Sequence, residues 1–157
     1  MKLKVPQKLF KIKPRKLFVG GNFGRSLDTV LFEKDEIEKE QLGYQFDLNG
    51  NPIPEWFGPE YVVIGHDYIC GDPLIAKVDE PEIKFFSMFH DDWDSLTLIA
   101  RSIKEFEFIA AKLEACDVTD LSSIENFKKE TASIPNDVID YWTNLVDLAN
   151  EFYNEEN

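Results

Sequence analysis

"IKFFSMFHDDWDSLTLIARSIKEFEFIAAKLEA", residues 83–115, holds the transition that decides the fold class. Its first seven residues are apolar at nearly every position, the mark of a strand buried on both faces and central in a sheet. From Ser95 onward the spacing changes. Leu96, Ile99, Ile103, Phe106, Ile109 and Leu113 recur at three- and four-residue intervals, which places them on one helix face. This predicts a helix over 95–115, with Asp94 or Ser95 as N-cap and Trp93 as a hydrophobic staple in front of it.

Working upstream, strands are expected over 60–65, 73–78 and 83–89. Upstream again, Asp35 with Glu38 three residues on reads as a capping-box-like start of a short helix over 35–42, ended by Gly43. "DLNGNPIPEWFGPE", residues 47–60, reads as turn and loop, because Asn49-Gly50 and three prolines exclude regular structure. Asp47, Asn49 and Asn51 imitate a calcium loop. Pro52 stands where that loop needs glycine, however, and Gly58 where it needs a bidentate Glu, so an EF-hand is rejected.

Downstream, helices are expected over 122–131 and from Pro135 to 152, the latter burying Val138, Trp142, Leu145, Ala149 and Phe152. Strands first and helices after them imply an α+β fold, a central and mostly antiparallel sheet packed by helices, with a helical C-terminal third.

The 157 residues fit a single domain, 1–157, and a chain of this length buries roughly 70% of its unfolded surface. Formal net charge is −13, unevenly spread. Residues 1–16 hold seven basic side chains and no acid, which leaves ten basic residues against all 30 acids elsewhere, a balance of −20. The basic start alternates loosely and fits an edge strand guarded by lysines or a basic arm. An acidic body repels phosphates, so nucleic acid is not an expected partner, while a basic protein would be steered toward it. Two cysteines, no apolar leader segment and no run near ~18 apolar residues make a cytoplasmic location the expectation, with no membrane partner.

Chemistry is concentrated in "YVVIGHDYICGDPL", residues 61–74, and in "HDDW", residues 90–93. If the two strand ends meet, His66, Asp67, Asp72, His90, Asp91 and Asp92 offer nitrogen and oxygen ligands, and a zinc ion needs three or four within about 2 Å. A metal-dependent hydrolase using His66, Asp67, His90 and Asp91 is therefore one reading. Acids and histidines beside glycine and proline more often bond to turn backbone, so the expectation is no metal and no other cofactor. Cys70 with His66 or His90 could form a nucleophilic pair, but no helix start lowers its thiol pKa, and no catalytic residue is assigned. The Gly20-Gly21-Asn22-Phe23-Gly24 run has the spacing of neither phosphate-binding glycine motif and reads as a turn.

Interaction remains. Trp56, Phe57, Tyr61, Tyr68, Phe89 and Trp93 lie close to acids, a combination suited to Arg- and Lys-rich surfaces, although most of these rings are expected in the core.

A strand ending in Ile64-Gly65, then Asp67, a Gly71-Asp72 turn, a second strand, Trp93, and a helix carrying Ala100, Ser102 and Phe106 follow one another in an order that resembles the SUKH superfamily, the yeast cell-wall-synthesis-regulator homologues. The resemblance covers residues 60–113. Ile37-Glu38, Leu42-Gly43-Tyr44 and Asn49-Gly50 look like a shortened version of the family's opening; the basic start and the last two helices lie outside it. The resemblance implies an α+β fold and a non-enzymatic role. Bacterial members are largely immunity proteins that neutralise toxins, often nucleases, and fungal members are regulators of wall synthesis. The expected partner is thus a basic protein such as a toxin domain, met by Asp67, Asp72, His90, Asp91, Asp92 and Trp93. A regulatory scaffold whose basic arm touches anionic partners is the other non-enzymatic reading.

Overall fold

The computed structural model describes residues 3–13, 15–17, 29–67 and 71–156. Among these residues six strands pair in chain order, each antiparallel to the next: β1 (Lys16–Leu17), β2 (Thr29–Leu31), β3 (Tyr61–Asp67), β4 (Pro73–Lys77), β5 (Lys84–Phe89) and β6 (Asp92–Ala100). Three helices follow, α1 (Ile103–Glu114), α2 (Leu121–Glu130) and α3 (Asn136–Glu156). The fold is α+β, with an antiparallel sheet and a helical C-terminal third. The apolar run of β5 lies between β4 and β6, away from both sheet edges, as its composition requires.

The helix expected over 95–115 is half strand. Residues up to Ala100 belong to β6, and α1 begins only at Ile103. Ser102, not Asp94 or Ser95, is the N-cap, accepting the Glu105 backbone N–H at 3.1 Å. Helical spacing arose by accident, because β6 is not regular. Between the pairs Phe89↔Asp92 and Ser87↔Thr97, β5 advances two residues and β6 five. Ser95 stabilises this bulge: its Oγ accepts the Phe89 N–H at 2.8 Å and donates to the Asp92 carbonyl. An extra stretch of this kind breaks the two-residue alternation by which a strand is recognised.

Cross-strand partners share a face, and the two faces are covered by different material. Val62, Ala76, Phe85 and Ala100 form one row. Phe85 in this row stacks on Phe106 of α1 at 4.9 Å, and Trp142 of α3 meets Phe106 edge-on at 6.1 Å. The Trp142 indole N–H donates to the Ile99 carbonyl at 2.7 Å, so a large aromatic is buried without an orphaned donor.

Val63, Ile75, Phe86 and Leu98 form the opposite row, covered by residues 32–60. The helix expected at 35–42 is a series of turns closed by a 3-10 turn, Lys39–Gln41. That conformation delivers Gln41, fully buried, to the backbone of β3. Its amide donates to the Val63 carbonyl at 2.8 Å and its Oε1 accepts the Val63 N–H at 2.9 Å. One side chain thus replaces a strand partner where β2, which pairs only as far as Gly65, has ended.

Gly65 itself has a steric reason. A Cβ there would stand 2.3 Å from the Val30 carbonyl oxygen of β2. The 47–51 turn is held as the sequence suggests: Asp47 Oδ1 accepts the N–H groups of Asn49 and Asn51, which draws the Asp47 pKa below its ordinary value, the Asn51 side-chain bond contributing most.

The N-terminal segment is not an edge strand over its length. Gln7–Lys11 forms a 3-10 turn that buries Leu9, with Ile12 buried three residues on, one turn of that helix. Arg15 fastens it by donating to the Leu9 and Phe32 carbonyls. Among the described residues of this segment, Lys16–Leu17 alone joins the sheet. Cys116 is a half-buried free thiol, its pKa raised chiefly by burial; Cys70 and the 20–24 glycine run lie outside the described residues. Among the described residues no helix is long and apolar enough to cross a membrane.

Candidate functional site

The β3–β4 connection and the β5–β6 hairpin lie at the same end of the sheet, because consecutive antiparallel strands return their turns alternately to two ends. Asp72, 18 residues before His90, reaches that hairpin. Asp72 Oδ1 accepts the His90 backbone N–H at 2.9 Å and faces the His90 ring Nδ1 at 2.8 Å. The bond to Asp72 holds the imidazole above its ordinary pKa, with Asp91 and Asp67 adding to the effect. Asp67 is directed inward on the same turn: its Oδ1 accepts the Gly71 N–H at 2.6 Å, and its own N–H donates to the Asp72 carbonyl. Gly71 adopts φ +75°, the left-handed conformation this turn needs.

The expected site residues therefore separate into three groups. Asp67, Asp72 and His90 come together. Asp91 and Asp92 are exposed at the tip of the hairpin beside them. Trp93 leaves the group altogether, because the β6 bulge turns it to the opposite face. There it packs edge-on against Trp56 at 5.6 Å and lies 6.1 Å from Phe57, in a cluster continued by Tyr61 and Phe86. Trp56 is buried, Phe57 and Tyr61 are half-buried, and Phe89 alone of the described members of that aromatic set is exposed, at 62%. Tyr68 lies outside the described residues.

His66 is also turned away. Its ring rests against Phe32 at 5.3 Å, and Nδ1 contacts the Asp67 carbonyl. Paired with Pro73 across β4, it sits on the sheet face opposite the Gly65–Leu74 pair. The two histidines thus serve different surroundings, and among the described residues no group of three or more His, Cys, Asp or Glu side chains is placed to hold a metal ion.

Behind the Asp72–His90 pair lies a groove of about 440 Å³ between the sheet and α3. Its floor comes from Leu74, Ser87, Met88, Thr97 and Ile99 of the sheet. Its far wall is the α3 surface carrying Tyr141, Leu145, Leu148 and Phe152. Leu148 and Phe152 are each 37% exposed, so the apolar stripe of α3 continues past the sheet residues that could cover it. Tyr141 donates to Ser87 Oγ at 3.3 Å, and burial pushes its phenol pKa up, Asp72 and Asp67 adding to the shift.

The groove is an apolar trough with hydroxyls in its floor and carboxylates at one end. Ser87, Thr97 and Leu148 gave no motif, whereas Phe89 stood in the aromatic set read from the sequence. The signal available was the pair of small polar residues on β5 and β6, facing each other where β5's neighbouring positions are Phe and Met. The capping box Ser102-x-x-Glu105 was likewise legible and marks the true helix start.

Compared with family models, curated proteins and solved structures, the chain matches none of them.

Proposed function

We propose that the protein is a non-enzymatic binding domain of the immunity type, which neutralises a basic toxin domain, nucleases being one such class, by docking it on the groove between α3 and the β3–β4 and β5–β6 ends. The observation that carries this reading is the coincidence of an open apolar trough with an acidic rim. Phe89, Leu148 and Phe152 supply exposed apolar surface, Asp67 and Asp72 line one end of it, and Asp91 and Asp92 are exposed on the neighbouring hairpin tip. Apolar anchors ringed by charges are how protein interfaces divide affinity from specificity. A net charge of −13 favours a basic partner, and a nuclease must be basic to hold its substrate. The SUKH-like order of residues 60–113 supports the same reading, which places the protein in the cytoplasm, where a toxin would be met. Trp93 acts behind the surface, by packing, rather than as a contact.

The test is co-expression with a basic toxin domain encoded beside the gene. Protection of growth is expected, with a complex whose affinity falls as salt rises and falls further on Phe89→Ala combined with Phe152→Ala. Absence of any such neighbour, or a neighbour that kills equally well in the presence of this protein, overturns the proposal.

A further inference from the structure

We infer that the groove is a seat for one arginine side chain carried on an apolar segment of the partner; this rests on the reading of the groove as the binding face and names the group it accepts. Asp72 is prepared for such a donor. Two donors from His90 fix Oδ1, and among the described residues none reaches Oδ2. The carboxylate is held in one orientation at the end of the trough, its second oxygen without a bond among the described residues, with 21% of its side chain exposed.

An acceptor fixed in advance loses little entropy on binding. Its ligand must also match what lies behind it. Leu74, Ile99 and Leu145 line a path for an aliphatic stem, and the hydroxyls of Ser87 and Thr97 stand in the floor as further acceptors. A guanidinium meets that demand better than an ammonium, because its planar fork carries five donors, is weakly hydrated and lies comfortably on apolar surface. The trough volume lies within the range of sites that enclose small ligands, so it holds the side chain with apolar neighbours beside it.

The test uses the full chain, isotopically labelled, titrated with hexylguanidinium and with hexylurea, a neutral molecule of the same shape, at pH 7.5 and low salt. Both are expected to shift the amides of Ser87, Thr97 and Leu145. The guanidinium should bind about two- to fivefold more tightly, the range for a charge pair at a partly exposed carboxylate. Asp72→Asn should erase that preference, so that the two probes bind alike. Thr97→Leu, a change at an exposed position that fills the floor, should weaken both probes and gives a second reading if Asp72→Asn alters the fold. Equal binding of the two probes, or shifts elsewhere on the surface, overturns the arginine seat. Toxin protection that persists while the probes fail removes only the seat, whereas probes that bind as expected beside a toxin that is not neutralised remove the immunity reading.

Discussion

Strands β5 and β6 carry both a sealed core and an open groove beneath the helices, a few residues apart. At one end Phe85 stacks on Phe106 and Trp142 closes the edge, all three buried. At the other, Ser87 faces Thr97, and the α3 residues above them, Leu145, Leu148 and Phe152, have too little beneath them to cover. The same two strands run through both ends, so the side chains they set opposite one another, together with the β6 bulge beside Ser87, separate a sealed core from an open groove. The β4–β5 turn shows a different use of charge. Glu80, between Lys77 and Lys84 at 2.8 Å each, has its pKa drawn down to about 2 by hydrogen bonds to the two lysines. That acid is matched by lysines within the chain; Asp91 and Asp92 are exposed on the β5–β6 hairpin, where Asp92 Oδ1 accepts the Asp94 N–H at 3.1 Å.

Phe106→Ala, at the sealed end, should lower unfolding free energy by about 4 kcal/mol in urea denaturation, since it removes a fully buried ring stacked on Phe85. A loss below about 1 kcal/mol would mean the sealed end is no better packed than the groove. On the opposite face, Gln41→Leu leaves the Val63 N–H and carbonyl without their partner. Its expected cost is about 2–3 kcal/mol by the same measurement, and a neutral result would show that the amide is not replacing a strand. Leu148→Ala at the open end should change stability by only about 0.5–1 kcal/mol, because much of its surface is already in water; its effect belongs to partner binding.

The smallest effect concerns His90. Nitrogen chemical shifts followed against pH should place its pKa above the ordinary histidine value of 6.5, and Asp72→Asn should bring it down. Because the folded pKa is raised, the pair's contribution to stability is present in full below the unfolded value and is lost as pH rises through the folded one. An unshifted His90 would break the picture of a carboxylate held by its neighbour.

Residues 32–60 illustrate how legibility in sequence depends on distance. Their turns were readable, because Asp47, Asn49, Gly50 and the prolines act on their own backbone. That Gln41 would insert into β3 was not, since its partner Val63 is 22 residues away. The same division holds at the groove. That Asp67 and Asp72 bend a turn is local chemistry, but that Asp72 meets His90 depends on the β4–β5 register.

By itself the sequence determined the α+β class, the positions of β3, β4 and β5, the last two helices and the charge asymmetry. Each follows from periodicity, capping or composition, properties that a short stretch expresses alone. Tertiary structure decided where β6 ends and α1 begins, which face Trp93 takes, that His66 and His90 part company, and that a groove opens beneath α3. Those outcomes depend on a bulge three residues long and on which side chains the pairing sets opposite one another, and neither is written in any single segment.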